Sequence, residues 1–223
     1  MTERTTVDVP PPTVTTVLAS LDDFDPLVTR AMLKWPDVPA CYDWLALDQR
    51  GRWRLQDNLI THERTVAFLN RHYTSDPQGC WFVQNGPQRV FVSLPGAPLV
   101  LSLTGTQQLQ THAGRIVSEI KEIIASDDGN LRCLTEFGLG LVDDRDVSAL
   151  LAELTGSELP RELLDGALAS PFALDTPPAV WEARWNWRGQ RLRARAVAVD
   201  QLERRYRFVS HPGARRATED TVE

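Results

Sequence analysis

The sequence predicts an α+β protein built from two related units, each a small antiparallel β-sheet with one helix, preceded by a short helical segment. Three observations carry this reading. First, LDQRGRWRLQ (47–56) and ASDDGNLRCL (125–134) both read as strand, polar turn closed by glycine, then a strand bearing an arginine. Aligned on Gly51 and Gly129, Trp53 falls on Leu131, Arg54 on Arg132 and Leu55 on Cys133. Second, the helix that follows keeps nearly the same register, since Val66 falls on Val147, an offset of 81 against 78 for the glycines. Third, the order strand-strand-helix-strand-strand-strand recurs, and a shared order of six elements is far harder to reach by chance than one hairpin.

Residues 1–16 are rich in Thr, Val and Pro and read as a disordered tail, as does 211–223. Residues 17–42 hold a helical segment and a Trp/Pro connector. A helix is expected from Pro26, with proline at a permissive first-turn position behind an Asp25 cap. WPDVPACY (35–42) is extended, because each proline disfavours helix in the residue before it.

Unit one spans 43–104. DWLALD and RWRLQ flank the turn QRG as a hairpin. ITHERTVAFLNRHY shows a helical stripe at Ile60, Val66, Phe68, Leu69 and Tyr73, with Thr61 as its cap. WFVQ and RVFVSL flank Asn85-Gly86, a strong hairpin signal because both residues tolerate positive φ. LVLSLT closes the unit after a turn at PGAP. Unit two spans 105–210. VSEIKEIIAS and NLRCLTE flank DDG, FGLGLV bridges to a helix in DDRDVSALLAEL capped by Asp143 or Asp144, and a helical insertion lies near 160–170. VWEARWNW and RLRARAVAV form a further hairpin, and ERRYRFV reads as a last strand. The expected core comprises Trp53, Phe68, Leu69, Phe91, Leu101, Leu131, Val147, Leu150 and Trp185.

The blocks KWPDVPACYDWLALDQRGRWRLQ, WFVQNGPQRVFV and FGLGLVDDRDV resemble the signature of an uncharacterised proteobacterial family, a domain of unknown function. The resemblance covers roughly 35–209. The arrangement is also similar to a second such family with repeated α+β motifs, for which a signalling role has been suggested. The resemblance implies no catalytic residues.

Composition narrows the function. At 42% apolar and 24% charged, the 223 residues sit in the soluble globular range. No stretch has the length and apolarity of a membrane span, and no secretory signal is visible. Cys41, Cys80 and Cys133 are odd in number and widely spaced, which suits free thiols in the cytoplasm rather than a disulfide framework or zinc site. The net charge of −6 disfavours nucleic acid as a partner. That average hides an asymmetry: residues 181–208 hold eight arginines against Glu182, Asp200 and Glu203, a net of +5, so the remainder carries −11.

No cofactor motif is present. The four histidines lack metal spacing, and the G-x-G of FGLGL lacks the third glycine of a dinucleotide loop. The aspartate clusters read as turn and cap chemistry. Two candidate sites remain. Alternation in RLRARAVAV puts Arg191, Arg193 and Arg195 on one face, joined by Arg184 from the neighbouring strand, as an anion site. Trp35, Tyr42, Trp44, Gln84, Asn85 and Arg89 either clamp the N-terminal helix or line a groove between the units. The expected function is a cytosolic binding or regulatory module for a protein or a small acidic ligand, with no recognisable catalytic site. The alternatives are a small hydrolase whose site assembles from residues distant in sequence, and a structural subunit of a larger complex.

Overall fold

The computed structural model describes residues 24–105, 108–152, 154–155, 180–185 and 190–213, with the backbone alone at 154–155, 180–185 and 190–191. The fold is α+β with two sheet units. The expected tail at 1–16 and the insertion near 160–170 lie outside the described residues; of the tail expected at 211–223, residues 211–213 are described, with Pro212 buried, and the rest lies outside them.

After helix α1 (Pro26–Lys34), the first sheet is laid down by β1 (Cys41–Leu47), β2 (Trp53–Leu55), β3 (Asn58–Leu59), helix α2 (Glu63–Arg71), β4 (Tyr73–Ser75), β5 (Trp81–Asn85) and β6 (Gln88–Ser93). Its spatial order is β3-β2-β1-β6-β5-β4. The hairpin β7 (Leu99–Leu103) and β8 (Leu109–Thr111) follows. The second sheet continues with β9 (Ile120–Ala125), β10 (Leu131–Thr135), β11 (Gly138–Val142), helix α3 (Val147–Ala152), β12 (Leu154–Thr155), β13 (Val180–Trp185), β14 (Gln190–Ala196) and helix α4 (Val199–Tyr206). It is ordered β12-β13-β14-β9-β10-β11-β7-β8.

Set the β7–β8 hairpin aside, and each sheet consists of three antiparallel strands, a helix and three more antiparallel strands. In each, the first and sixth strands run parallel at the centre, β1 beside β6 and β9 beside β14. Each sheet is therefore mixed where an antiparallel one was expected, because the helical crossover returns the chain in the same direction. The register also agrees: Ala46 opposes Ser93 across the first parallel pair, as Ile124 opposes Arg195 across the second. Gly51 (φ +71) and Gly129 (φ +76) occupy the turn between strands one and two of their sheets. In both, the glycine N–H donates back three residues, 2.9 Å to Asp48 O and 3.0 Å to Ser126 O. The same turn recurs at Asp76–Cys80 and Thr111–Arg115, so the strand order, rather than the hairpin, is what distinguishes the pair of units.

Three expectations need correction. LVLSLT is β7, and it belongs to the second sheet, parallel to β11. It can lie there because Gly140 has no Cβ; one built at that position would collide with the Leu101 side chain. The boundary between the sheets thus falls between Ser93 and Leu99. The stripe ending at Tyr73 overran its helix: α2 stops at Arg71, and Tyr73 pairs with Val83 while its hydroxyl donates to Pro98 O at 2.8 Å. ERRYRFV is not a strand: its first four residues, 203–206, are the second half of α4, which buries Leu202 and Tyr206, four residues apart. Two caps also differ. Asp25 sits at the α1 N-cap without a side-chain capping bond, and His62 rather than Thr61 caps α2, accepting from the Thr65 N–H.

The clusters of buried side chains define how the sheets stack. Leu45, Leu47, Trp53 and Val92 share the face of sheet one that carries α2, and they pack against Ile124, Leu134, Val197 and Tyr206 of sheet two. The other face of sheet two holds Ile123, Ala125, Leu131 and Ala194 beneath Leu150 and Leu151 of α3. The units therefore stack head to tail, the face of the first that carries α2 on the face of the second opposite α3, where α4 also packs. The face opposite its crossover helix, α2 or α3, is the helix-free face of each sheet. The seam is locked by His112, whose backbone carbonyl accepts from Asn70 Nδ2 at 3.2 Å and whose Nδ1 accepts from Val100 N at 3.2 Å. Burial, aided by Arg115, pulls this histidine's pKa from 6.5 down to about 3. Of the expected core, Trp53, Leu69, Phe91, Leu101, Leu131 and Leu150 are buried, whereas Phe68 and Val147 are half-buried. The Trp185 side chain lies outside the described residues. Among the described residues, no helix is long and apolar enough to cross a membrane.

Candidate functional site

Head-to-tail stacking leaves the helix-free face of sheet one outside the inter-sheet core. Cross-strand pairing puts Phe82 with Phe91 and Gln84 with Arg89 on this face, alternating with the inward Val83 and Val90. A bulge at Asp43 (φ +62), where the β1–β6 register shifts, presents Tyr42 here too, its ring stacked on Phe91 at 4.7 Å and 7°. Cys80, Phe82 and Phe91 form a small apolar cluster beneath it.

Helix α1 and the connector cross over this face without sealing it. Val28 is the buried residue of α1, while Leu27 and Leu33 are 75% and 71% exposed. The helix is held chiefly at its start. The Asp25 N–H donates to His72 Nε2 at 3.3 Å, and the Asp25 carboxylate lies 3.5 Å from Arg71 Nε. At the far end, Gln88 Nε2 donates to Pro39 O at 3.0 Å, tying the connector to the β5–β6 tip. Between these fixed points lies a groove of ≈ 570 Å³. Met32, Leu33, Pro36, Val38 and Ala40 form one wall; Tyr42, Gln84, Pro87, Arg89 and Phe91 form the other.

Gln84 is the chemically informative residue. It is 1% exposed, its backbone N–H donates to His72 O, and its Nε2 donates to Gly86 O at 2.8 Å. Its Oε1 is buried with no partner among the described residues. A buried acceptor left unsatisfied costs about 1–3 kcal/mol. Opposite it on the adjacent strand, Arg89 is exposed, with its guanidinium 5.0 Å above the Phe82 ring. No carboxylate among the described residues forms an ion pair with Arg89.

Of the six residues singled out from sequence for a groove, Tyr42, Gln84 and Arg89 line it. Asn85 is exposed at the hairpin tip, and Trp35 and Trp44 are 51% and 52% exposed, neither clamping α1 nor lining the groove. The groove runs between α1 and sheet one rather than between the units, whose seam is filled by packed side chains. Met32, Pro36, Val38 and Phe91 were not singled out as its lining. The connector's prolines were the available signal, since they hold an extended path away from the sheet.

The arginine row divides. Arg193 is exposed. Arg195 is 3% exposed, and its Nε meets Glu122 Oε1 at 2.6 Å. The second Glu122 oxygen accepts from the Tyr206 hydroxyl at 2.7 Å. Burial, then the Glu122 charge, pushes the Tyr206 phenol well up, which keeps it a donor. Arg195 was expected to point outward into an anion site; α4 covers this end of the strand and makes it structural. Arg184 and Arg191 are register partners on β13 and β14, and their side chains lie outside the described residues.

Two further groups are held by the structure, Asp143 and Cys133. Arg145 hydrogen-bonds Asp143 and holds its carboxyl well below the usual carboxylate range. Burial raises the Cys133 thiol to about 12, removing it as a nucleophile at neutral pH. Among the described residues, no three His, Cys, Asp or Glu side chains are grouped to hold a metal ion.

Comparison with known proteins places the chain. No curated protein matches it. Among solved structures, it is similar to a DUF1285 family protein from Silicibacter pomeroyi DSS-3, with TM-score 0.41 and 16% identity over 60% of this chain and 87% of that one. It is also similar to a DUF1285 family protein from Shewanella baltica OS155, with TM-score 0.39 and 14% identity over 54% of this chain and 96% of that one. The family model described as "Protein of unknown function (DUF2946)" matches residues 24–213, so the chain belongs to that family.

Proposed function

We propose that this protein is a small-molecule-binding module whose site is the groove between α1 and the helix-free face of sheet one. The observation that carries the reading is the buried Gln84 Oε1, which has no partner among the described residues and belongs to a residue lining a groove of ≈ 570 Å³. Ligand sites typically enclose about 300–1,000 Å³ with apolar walls and a few placed polar groups. The lining fits that description, and it supplies no paired acid and base of the kind a hydrolase needs. Binding is therefore favoured over catalysis.

A regulatory role follows from the roof. Because α1 buries little of its own surface, a ligand seated between Met32 and Phe91 shifts how firmly the helix docks, and a cytosolic partner reads that change. The common strand order and register support descent of both sheets from one unit used twice, with the second copy as the platform and the first as the reader.

The test is a fragment screen by ligand-observed NMR, repeated on Ala40→Trp, which fills the groove. Hits that lose binding to the filled variant support the site. Hits that bind both forms alike overturn it.

A further inference from the structure

We infer that the ligand of the groove is a small carboxylic acid with an apolar or aromatic body and an N–H group close to the acid, a class that rests on the groove being the binding site. Three features of the lining select it. Gln84 Oε1 is an acceptor with no partner among the described residues, so the group that meets it is a donor. Its amide cannot turn to offer a donor instead without giving up the 2.8 Å bond from Nε2 to Gly86 O. Arg89 is the second feature. It is the register partner of Gln84 on the adjacent strand, so the two side chains leave the same face as cross-strand neighbours. A guanidinium lying over an aromatic ring, with no carboxylate of the described chain paired to it, binds a planar carboxylate through two parallel hydrogen bonds. The third is the remaining wall, Met32, Val38 and Phe91, which receives an apolar body. A donor and an anion separated by one cross-strand spacing, both attached to an apolar group, describe an N-acylated amino acid or a compound of that shape.

The protein carries its own reporter. It has two methionines, Met1 and Met32, so labelling the methionine methyl groups with carbon-13 yields two signals, and Met32 lines the groove. Three probes separate the claims: N-acetyl-phenylalanine, its neutral C-terminal amide, and hydrocinnamate, which keeps the acid and ring but lacks the N–H. N-acetyl-phenylalanine should move the Met32 signal with a dissociation constant of about 1 mM, in keeping with its size. Each of the other two should bind about tenfold more weakly, as expected on losing one charge-assisted or one buried hydrogen bond. Arg89→Gln should abolish the preference for acid over amide, and this exposed position leaves folding intact. Gln84→Leu should abolish the preference for the N–H compound. Equal binding of acid and amide would overturn the carboxylate assignment while leaving the groove as the site. Failure of all three probes to move the Met32 signal at about 10 mM would overturn both.

Discussion

The two sheets share one strand order and one register, yet equivalent positions in them serve opposite ends. Ser93, opposite Ala46, corresponds to Arg195, opposite Ile124. Counting along the same strands, Phe91 corresponds to Arg193, and the pair Gln84–Arg89 to Arg184–Arg191. Both candidate sites read from the sequence thus fall at matching places on the helix-free face. In sheet two that face is where sheet one and α4 dock, and Arg195 is consumed by Glu122 and Tyr206. In sheet one it meets α1, the connector and the chain at Val209, and the Gln84 acceptor stays without a partner among the described residues. Stacking decides the difference: head-to-tail contact uses this face of sheet two and leaves that of sheet one outside the core.

The sharpest way to break this comparison is to disturb the covered face of sheet two. Glu122→Gln strands a guanidinium that is 3% exposed, and the loss of one partner from a buried ion pair costs about 3–5 kcal/mol. Ser93→Ala at the matching position of Arg195 should change stability by less than about 0.5 kcal/mol. Urea denaturation of the two variants reads both numbers. Equal effects would mean the two faces are not used differently.

A smaller effect tests the seam. His112 has a folded pKa of about 3, below its ordinary 6.5, so between these values the unfolded chain takes up a proton that the folded chain does not. Stability present above pH 6.5 should therefore fall as the pH drops towards 3, by about 2 kcal/mol at pH 5. The carboxylates held low by their partners, Asp48, Asp128 and Glu136, lose their contributions only below the ordinary carboxylate range, so the slope between pH 5 and 6.5 reports the histidine. Denaturation midpoints across that window should slope in the native protein and flatten in His112→Gln.

Much of this was legible beforehand, for identifiable reasons. The hairpin turns at Gly51, Gly86 and Gly129 depend on three or four adjacent residues, and all three glycines have positive φ in the fold. The start of α1 at Pro26 is equally local. What escaped depends on contacts distant in sequence. LVLSLT has the same local pattern in either sheet, and only the absence of a side chain at Gly140 opens its place beside β11. Arginines at alternate positions read as a solvated face until α4 is placed over one end of the row. That helix did leave a trace: Leu202 and Tyr206 lie four apart, with Asp200 in the first turn and Arg204 and Arg205 in the last, as the helix dipole favours. In the groove, the β5–β6 hairpin brought Gln84 and Arg89 into view, whereas Met32 joins them only through the path of the connector.

The groove face of sheet one offers a further contrast. A polar group kept for a ligand is held at the expense of stability, so removing it should stabilise the fold. Gln84→Met deletes the unpaired acceptor and suits the apolar lining. It should raise stability by about 1 kcal/mol while weakening N-acetyl-phenylalanine, a pairing of effects that a structural glutamine would not produce. Thermal melts alongside the Met32 titration measure both, with the new methyl signal assigned by its absence from the native spectrum.

The smallest expected effect separates two neighbours on one strand. Arg193 and Arg195 leave β14 on the same side, about 7 Å apart, and differ in what covers them. Arg193 is exposed and Arg195 is buried on Glu122. Arg193→Gln should stay within about 0.5 kcal/mol of the native protein, as exposed polar substitutions do. Arg195→Gln should cost several times more, because it leaves the Glu122 carboxylate buried without its cation. Ionic strength gives an independent reading. Salt screens exposed charges over about 8–10 Å at physiological strength and scarcely reaches a buried pair. The penalty at Arg195 should accordingly persist from low to high salt, and any change at Arg193 should shrink. A large, salt-insensitive loss at Arg193 would show that the uncovered end of the row is also locked into the fold, and that the line between structural and free positions runs elsewhere on the strand.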